Sequence, residues 1–498
     1  MSTPAIYDVA IVGLGPTGAV LANLLGVAGL SVLVLEKEAG IHALPRAIHF
    51  DGEVMRVFQG IGLRDAVLAI ARPGLEGMHF VDAQGETLFV RGGAAALGPH
   101  GCANSYYFHQ PQLEALLRDG LARYPRVHVM LRHELRSITE AEGQVQLGAY
   151  DLASSADLAF AAKYVVGCDG ARSAVRAHMG SEMVDLGLRQ PWLVFDVLLQ
   201  RELDLPAYTV QVCDPARPMT CCNVVGNRRR WEIMVLPGDD PAELVKPAKL
   251  WELVAPWVTP QDATLERAAI YTFHSVLAHG WRKNRLLLAG DACHQTPPFL
   301  GQGMCAGIRD AANLGWKLAA VLRDGAQADL LDSYEAERAP HVQALIELAV
   351  RLGTIIQTTD KQQAAERDAR FRAGEPQVVE LPPSALGRLD TLDPTDPFTR
   401  RPFPQPRLRN GELLDDTVGA RFALIMHPRS LAAAPEAVRE LLLRARVKLV
   451  DAADPALSVW LSENKVVAVM VRPDRYMLGV ARTPAAIEAL CARLPVAV

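Results

Sequence analysis

The chain has 498 residues, half of them hydrophobic and 21% charged, a length and composition that predict about three domains with sizeable packed cores. Its formal net charge of −5 excludes the basic footprint of a nucleic-acid binder, and the triplet Arg228-Arg229-Arg230 is expected to be a solvated turn rather than a patch. The eight cysteines form no C-x-x-C pair and no Cys/His set with zinc spacing, so free thiols in a reducing compartment are expected and no metal site is.

From Val9 to Leu35 no residue is charged, but five glycines, Pro16, Thr17, Asn23 and Ser31 interrupt the run and no Lys or Arg precedes it. The stretch is read as a buried strand, turn, helix and strand rather than a membrane span or a signal peptide, and the protein as soluble and cytoplasmic. Val9–Val12 has the β-branched character of a buried parallel strand, Ala19–Val27 is apolar on nearly every side like a buried helix, and Ser31–Leu35 is a second strand ending at Glu36; together they make one βαβ unit. A helix is predicted over Gln110–Leu121, with Leu113, Leu116, Leu117 and Leu121 on one side. Strands follow at Val127–Leu131, Val145–Leu147, Leu158–Phe160 and Tyr164–Val166.

Residues 185–275 carry strand patterns at Trp192–Leu199, Tyr208–Val212 and Trp231–Leu236 without regular βα alternation, which predicts a sheet-rich second domain. Leu286–Leu288 returns to the buried-strand pattern, and long helices are expected over Gly303–Leu322 and from Leu331 toward Leu352. Pro376, Pro382, Pro383, Pro394, Pro397, Pro402, Pro404 and Pro406 mark a linker. Beyond it a compact α/β stretch is predicted, with strands at Ala420–Ile425, Val447–Leu449 and Val466–Val471 and helices at 435–445 and 484–493.

Three motifs carry chemistry. Gly13-x-Gly15-x-x-Gly18 lies between a strand and a helix, with Glu36 ending the next strand. The glycines allow a tight turn and close approach to a pyrophosphate, the helix start offers unpaired N–H groups, and a carboxylate about 20 residues on can accept from ribose hydroxyls. This pattern points to a dinucleotide without separating FAD from NAD. Gly167-Cys168-Asp169-Gly170-Ala171-Arg172-Ser173 and Leu288-Ala289-Gly290-Asp291-Ala292 each place an aspartate just past a buried strand, where open α/β sheets bind ligands.

In this order and at this separation the motifs resemble the class A flavoprotein aromatic hydroxylases, which share the fold of p-hydroxybenzoate hydroxylase, in the branch of 3-(3-hydroxyphenyl)propionate and phenol-type hydroxylases; the likeness covers residues 6–350. The resemblance implies an α/β fold. A Rossmann-like FAD-binding domain would take 1–75, 101–182 and 276–352. A sheet-rich α+β substrate domain would take 76–100 and 183–275, a helical, Pro-rich linker 353–402, and a thioredoxin-like domain without redox cysteines 403–498, with a packing or homodimer-interface role.

It further implies that Gly13, Gly15 and Gly18, with Pro16 and Thr17, cradle the FAD pyrophosphate. Glu36 with Lys37 would bind the ribose, Arg46 in Pro45-Arg46-Ala47 would lie near the pyrophosphate and ribityl region, and Gln110 would contact the flavin chain. Asp169 and Gly170 would serve FAD and the nicotinamide, and Asp291, with Gly290, the ribityl or pyrophosphate segment. The run Pro297-Pro298-Phe299-Leu300-Gly301-Gln302-Gly303, with Met304, would be the loop beside the isoalloxazine, so that Pro298, Gly301, Gln302 and Gly303 stand at the reacting centre; position 305 is Cys where many relatives carry Asn.

The implied reaction is NADH- or NADPH-consuming monooxygenation of a phenolic ring, ortho to an existing hydroxyl, through a flavin C4a-hydroperoxide, with dioxygen and the aromatic compound as partners and neither membrane nor nucleic acid. Tyr208, Tyr271 and His274 are candidates for the substrate pocket, and His294, between the third motif and the loop, is a candidate near the flavin. Tyr334 and Glu337-Arg338 are read as structural. The alternatives on the same fold are an epoxidase, a Baeyer–Villiger enzyme, a dehydrogenase or a non-catalytic flavin protein. The Trp-x-Trp-x-Ile-Pro segment of flavin halogenases is missing from the sequence.

Overall fold

The uncharged run Val9-Ala10-Ile11-Val12 is completely buried but for a trace at Val12, as a strand covered on both faces must be. It forms the strand Ile6–Val12, which pairs in parallel with Val32–Glu36 on one side and Ala156–Gly167 on the other. The computed structural model from which these positions come describes residues 6–41, 46–93, 97–375, 381–382, 385–386, 396–432 and 435–495; Pro45, Pro376, Pro383 and Pro394 lie outside the described residues. Val127–Leu131 extends the parallel sheet beyond Val32–Glu36, and Leu286–Leu288 extends it beyond Ala156–Gly167. Val12 pairs with Gly167, and Gly167 with Leu288. The three motifs therefore leave the sheet side by side from adjacent strand ends. Helix Pro16–Val27 covers the sheet and packs on the long helix Gly303–Arg323, where a Cβ at Gly315 would stand 3.3 Å from Leu24 Cβ.

Leu158–Phe160 and Tyr164–Val166, expected as two strands, belong to the single strand Ala156–Gly167. No Gly or Pro breaks it, and it changes partner instead of stopping: its first half is antiparallel to Gln144–Asp151 and its second half parallel to Ile6–Val12.

A second sheet of eight strands runs in the order His294–Gln295, Ala263–Ala278, Met183–Leu199, Arg228–Met234, Met219–Asn223, Thr209–Val212, Met78–Val81 and Thr87–Arg91. Side-chain alternation divides it. Leu193, Phe195, Val197, Trp231 and Ile233 pack with Leu250 and Val254 of helix Pro247–Val254, while Val194, Arg230, Glu232, Thr220, Gln211 and Thr209 face a cavity. The triplet Arg228-Arg229-Arg230 is not a solvated turn: it opens the strand Arg228–Met234. Carboxylates on the adjacent strand and on the one beyond it draw it in, with Arg230 Nε 2.7 Å from Asp196 Oδ1 and Arg228 Nη2 3.1 Å from Glu266 Oε1.

At the C-terminal end four strands run in the order Lys448–Asp451, Ala423–Met426, Ala468–Val471 and Met477–Ala481, the first pair parallel and the rest antiparallel. With helices Glu436–Arg444, Pro455–Glu463 and Ala486–Cys491, this is a thioredoxin-like arrangement. A buried ion cluster fastens it to helix Ser333–Ile356: Arg472 donates to both oxygens of Glu337 at 2.8 Å, and Lys317 Nζ lies 2.8 Å from Glu337 Oε2. No helix among the described residues is long and apolar enough to cross a membrane.

Candidate active site

A cavity of about 2060 Å³ lies between the ends of the parallel sheet and the polar face of the second sheet. That exceeds the roughly 300–1,000 Å³ of a single small-ligand pocket and leaves room for a dinucleotide and a second molecule. Gly13, Gly15, Pro16, Thr17, Glu36, Lys37, Arg46, Gln110, Asp169, Gly170, Asp291, Pro298, Gly301, Gln302, Gly303 and Met304 all line it.

Gly13 has φ +98°, and Gly18 lies so close beneath it that an added Cβ would meet the Gly13 carbonyl oxygen at 2.1 Å. Gly18 thus serves packing and does not line the cavity. Gly15 is different: a Cβ there meets no protein atom within 4 Å and would project into open space. Gly15 is also the N-cap of helix Pro16–Val27 and offers no capping side chain, so the first-turn N–H groups and the helix dipole are free to receive an anion. Glu36 is fixed by the N–H groups of Leu14 (2.7 Å) and Glu38 (2.8 Å), which donate to its two oxygens.

Gln110 holds the chain that carries Arg46. Its Oε1 accepts from the N–H groups of Arg46 and Ala47 at 2.8 and 2.7 Å, and its Nε2 donates to Glu114. Asp169 Oδ2 accepts from the N–H groups of Ala174 and Val175, while its Oδ1 is buried without a partner among the described residues. Gly290, with φ +65°, packs on Thr17 and does not line the cavity. Asp291 stands at the cavity rim in the 3₁₀ turn Gly290–Ala292.

The loop at 297–303 is a 3₁₀ turn, Pro298–Leu300, closed by Gly301 at φ +64°, and helix Gly303–Arg323 starts directly after it. Gln302 is 2% exposed; its Oε1 accepts from Arg309 Nη1 at 3.2 Å, and its Nε2 has no partner among the described residues. An open helix start, an unpartnered carboxylate oxygen on Asp169 and an unpartnered amide N–H on Gln302, all around one cavity, fit a phosphate-bearing cofactor with a polar ring. Cys305 is fully buried behind this loop and burial pushes its thiol up, so it is no nucleophile.

Besides Gly18 and Gly290, two further candidates are not brought to the cavity. His294 is 1% exposed, its Nε2 lies 2.6 Å from Asp310 Oδ2, and it does not line the cavity. The same Asp310 accepts from Arg338 Nε at 2.9 Å, so His294 belongs to a structural cluster behind the loop. Tyr208 stacks on His79, ring centroids 3.7 Å apart, outside the lining. Tyr271 and His274 do line the cavity, and the Tyr271 hydroxyl accepts from Arg267 Nη1 at 3.0 Å.

The sequence reading missed several groups on the wall. His49 Nδ1 is 3.3 Å from the Gly301 carbonyl oxygen and its Nε2 is 2.8 Å from Ser105 Oγ. The carbonyl can only accept, so in the neutral ring Nδ1 carries the proton and Nε2 accepts from Ser105. Burial lowers the His49 pKa against the opposing charge of Asp51, which keeps the ring neutral. Burial raises the Glu232 carboxyl, with Arg230 opposing, and pushes Tyr107 up to about 12; the Tyr107 hydroxyl is 2.7 Å from Thr209 Oγ1. Period-two patterning could have put Thr209 with Gln211, and Arg230 with Glu232, on one strand face each. No local signal joins His49 to Ser105, which meet through a small sheet of His49–Asp51, Ser105–Tyr107 and Arg72–Pro73.

A parallel sheet that brings three cofactor motifs to one cavity, roofed by a second sheet, defines a flavin-dependent oxidoreductase. Residues 6–349 match the FAD binding domain family, and the chain belongs to it. It is 37% identical over 523 residues to a probable NADH-specific resorcinol 4-hydroxylase of Rhodococcus jostii (strain RHA1), covering 99% of this chain and 95% of that one. It is 36% identical over 458 residues to a 3-(3-hydroxy-phenyl)propionate/3-hydroxycinnamic acid hydroxylase of Mycolicibacterium smegmatis (strain ATCC 700084 / mc(2)155), covering 86% and 79%. The fold matches the flavin-dependent monooxygenase PieE, solved with FAD and substrate, at a TM-score of 0.82 and 23% identity over 99% of both chains. The chain is a class A flavin-dependent aromatic hydroxylase.

Proposed function

We propose that the protein hydroxylates a small phenol of the resorcinol type, using NADH as reductant and one atom of dioxygen, with the second atom leaving as water. The observation that carries this reading is the register Val12–Gly167–Leu288, which delivers three motifs to a cavity whose far wall is the polar face of the second sheet. Gly13, Gly15 and the start of helix Pro16–Val27 would hold the FAD pyrophosphate, Glu36 the ribose, Arg46, Asp169 and Asp291 the connecting chain, and Pro298 to Met304 the ring. FAD supplies the oxygen-transfer chemistry when bound. The N-terminal positive end of helix Gly303–Arg323 would favour negative charge on the ring system.

The residues of the chain supply position, exclusion of water and a route for one proton. An electron-rich ring reacts best as its phenolate, so a proton must leave the substrate oxygen. Ser105 donates its own hydroxyl to His49 Nε2 and lines the cavity, so its oxygen can take the phenolic proton as it passes its own to His49. Thr209, Gln211 and Thr220 present hydroxyl and amide groups to the same cavity, suited to the second hydroxyl of a neutral diphenol. The 37% identity over nearly the whole chain to the probable resorcinol hydroxylase supports this choice and that of NADH.

Apart from His294–Gln295, which joins the second sheet, the sheet memberships support the division into an FAD domain at 1–75, 101–182 and 276–352, a substrate domain at 76–100 and 183–275, a linker at 353–402 and a tail at 403–498. The eight free cysteines support a cytoplasmic location, and a homodimer is the expected assembly, to be read by light scattering. The reading is tested with FAD-loaded protein and a panel of resorcinol, 3-(3-hydroxyphenyl)propionate and phenol, each with NADH or NADPH. Resorcinol with NADH should give the fastest oxidation and a product 16 mass units heavier. Equal rates with all three, yielding peroxide and no hydroxylated product, would count against it.

A further inference from the structure

The orientation of Gln302 is fixed from one side only. Arg309 can donate but not accept, so the amide oxygen of Gln302 must face Arg309 Nη1, at 3.2 Å. That leaves Nε2 on the side away from Arg309, buried and without a partner among the described residues, in a residue that lines the cavity. Arg309 is held in turn by two carboxylates: Nε donates to Glu53 Oε2 at 2.7 Å and Nη2 to Asp51 Oδ2 at 2.5 Å. The second oxygen of Glu53 accepts the hydroxyl of Tyr476 at 2.6 Å.

Tyr476 lies 423 residues further along the chain, in the C-terminal unit, and is 4% exposed. Its carbonyl oxygen accepts from the Arg472 N–H at 2.8 Å, and Arg472 is the residue clamped to both oxygens of Glu337. The turn that presents Tyr476 is therefore anchored on the first unit, next to the helix that carries Arg309.

We infer that Tyr476 is a positioning residue for the cofactor: through Glu53 and Arg309 it fixes the side chain of Gln302, and with it the loop at 297–303 that would stand beside the flavin ring. This rests on the FAD reading and gives the thioredoxin-like unit, which has lost any redox cysteine pair, a role in the reaction centre. Each link is a charge-assisted or short hydrogen bond in a buried setting, where such chains hold their geometry. Loss of the terminal hydroxyl leaves one Glu53 oxygen without that donor and loosens Arg309 against Gln302.

The test uses the full chain loaded with FAD and compares Tyr476→Phe, Gln302→Ala and the double variant. Three readouts are taken: the FAD dissociation constant, the flavin absorbance spectrum and midpoint potential, and the peroxide released per NADH. Tyr476→Phe should weaken FAD about five- to tenfold, the worth of one modest hydrogen bond, shift the spectrum and potential in the same direction as Gln302→Ala, and raise peroxide release while leaving the KM for the phenol unchanged. In the Gln302→Ala background it should add little, because the two act in series. If Tyr476→Phe does not fold, Glu53→Gln reports on the same chain of contacts. Wild-type protein that takes up no FAD would overturn the cofactor reading and this role with it. Loaded wild type beside a Tyr476→Phe variant of unchanged affinity, spectrum and coupling, or effects that add fully in the double variant, would overturn the positioning role alone.

Discussion

An added Cβ at Gly13 would stand 2.4 Å from the carbonyl oxygen of Cys168, so the first two cofactor motifs touch backbone to backbone. With φ +98° at Gly13, Gly13→Ala carries a backbone penalty of about 1–2 kcal/mol before that overlap is counted. It should lower the stability of the apoprotein and abolish FAD binding together. Gly15→Ala has no protein atom to meet and should fold with wild-type stability yet lose FAD, because its methyl occupies cofactor space. Thermal unfolding of the apoproteins beside FAD titration separates the two; equal behaviour of the two variants would count against the cradle.

The His49–Ser105 pair gives a pH signature. The folded His49 pKa lies below the ordinary 6.5 through burial, so the neutral, proton-accepting ring is present at pH 7 and is lost only as pH falls below 6.5. His49→Gln should reduce kcat/KM by about 10²-fold, at the low end for a lost general base, and abolish the acid limb of the profile. FAD-loaded variant protein assayed from pH 5 to 8 checks this. An unaltered acid limb would remove His49 from the proton route.

The ion cluster of Arg472, Glu337 and Lys317, joined by Asp474 Oδ2 at 2.6 Å from Arg472 Nη2, fastens the C-terminal unit. Arg472 and Lys317 hold the Glu337 carboxyl well below its usual range against burial, and burial lowers Lys317 to about 8. Arg472→Met removes one side of a buried pair whose oxygens lie 2.8 Å away and should cost about 3–5 kcal/mol. Denaturant unfolding reads this directly, and a cost under about 1 kcal/mol would mean the cluster is solvated.

Acid stability should fall earlier than carboxylates alone would dictate. Burial, reinforced by Arg338, lowers His341 to about 3. Between pH 6.5 and that value the unfolded chain binds a proton that the folded chain does not, so stability is lost as pH falls, by up to about 1.4 kcal/mol per unit for this group. His341→Gln should flatten the slope of unfolding free energy between pH 6.5 and 4.5, above the range where carboxylates titrate.

The cofactor half of the site was legible because its signals are local: a strand, a glycine turn and a helix follow one another in sequence, and aspartates mark the ends of two more strands. The substrate half was not. Thr209–Val212 pairs with Met78–Val81, bringing together segments about 130 residues apart that carry no shared pattern. Ala263–Ala278, a strand of 16 residues beside the cavity, was not foreseen because its side chains are mostly half-buried and mix Glu266 and Arg267 with apolar residues, hiding the alternation. The arginine triplet misled because its partners, Asp196 and Glu266, lie on other strands. Tyr476 could not be connected to the loop at 297–303 by any sequence signal, since their link passes through Glu53 and Arg309.

The most direct test supplies FAD-loaded protein with NADH, resorcinol and ¹⁸O₂ and weighs the product. One ¹⁸O atom in each molecule of hydroxylated product, with one NADH consumed per turnover, is the expected result. Product without label, or NADH consumed with all the oxygen recovered as peroxide in the presence of every phenol offered, would contradict the assignment of this cavity to aromatic monooxygenation.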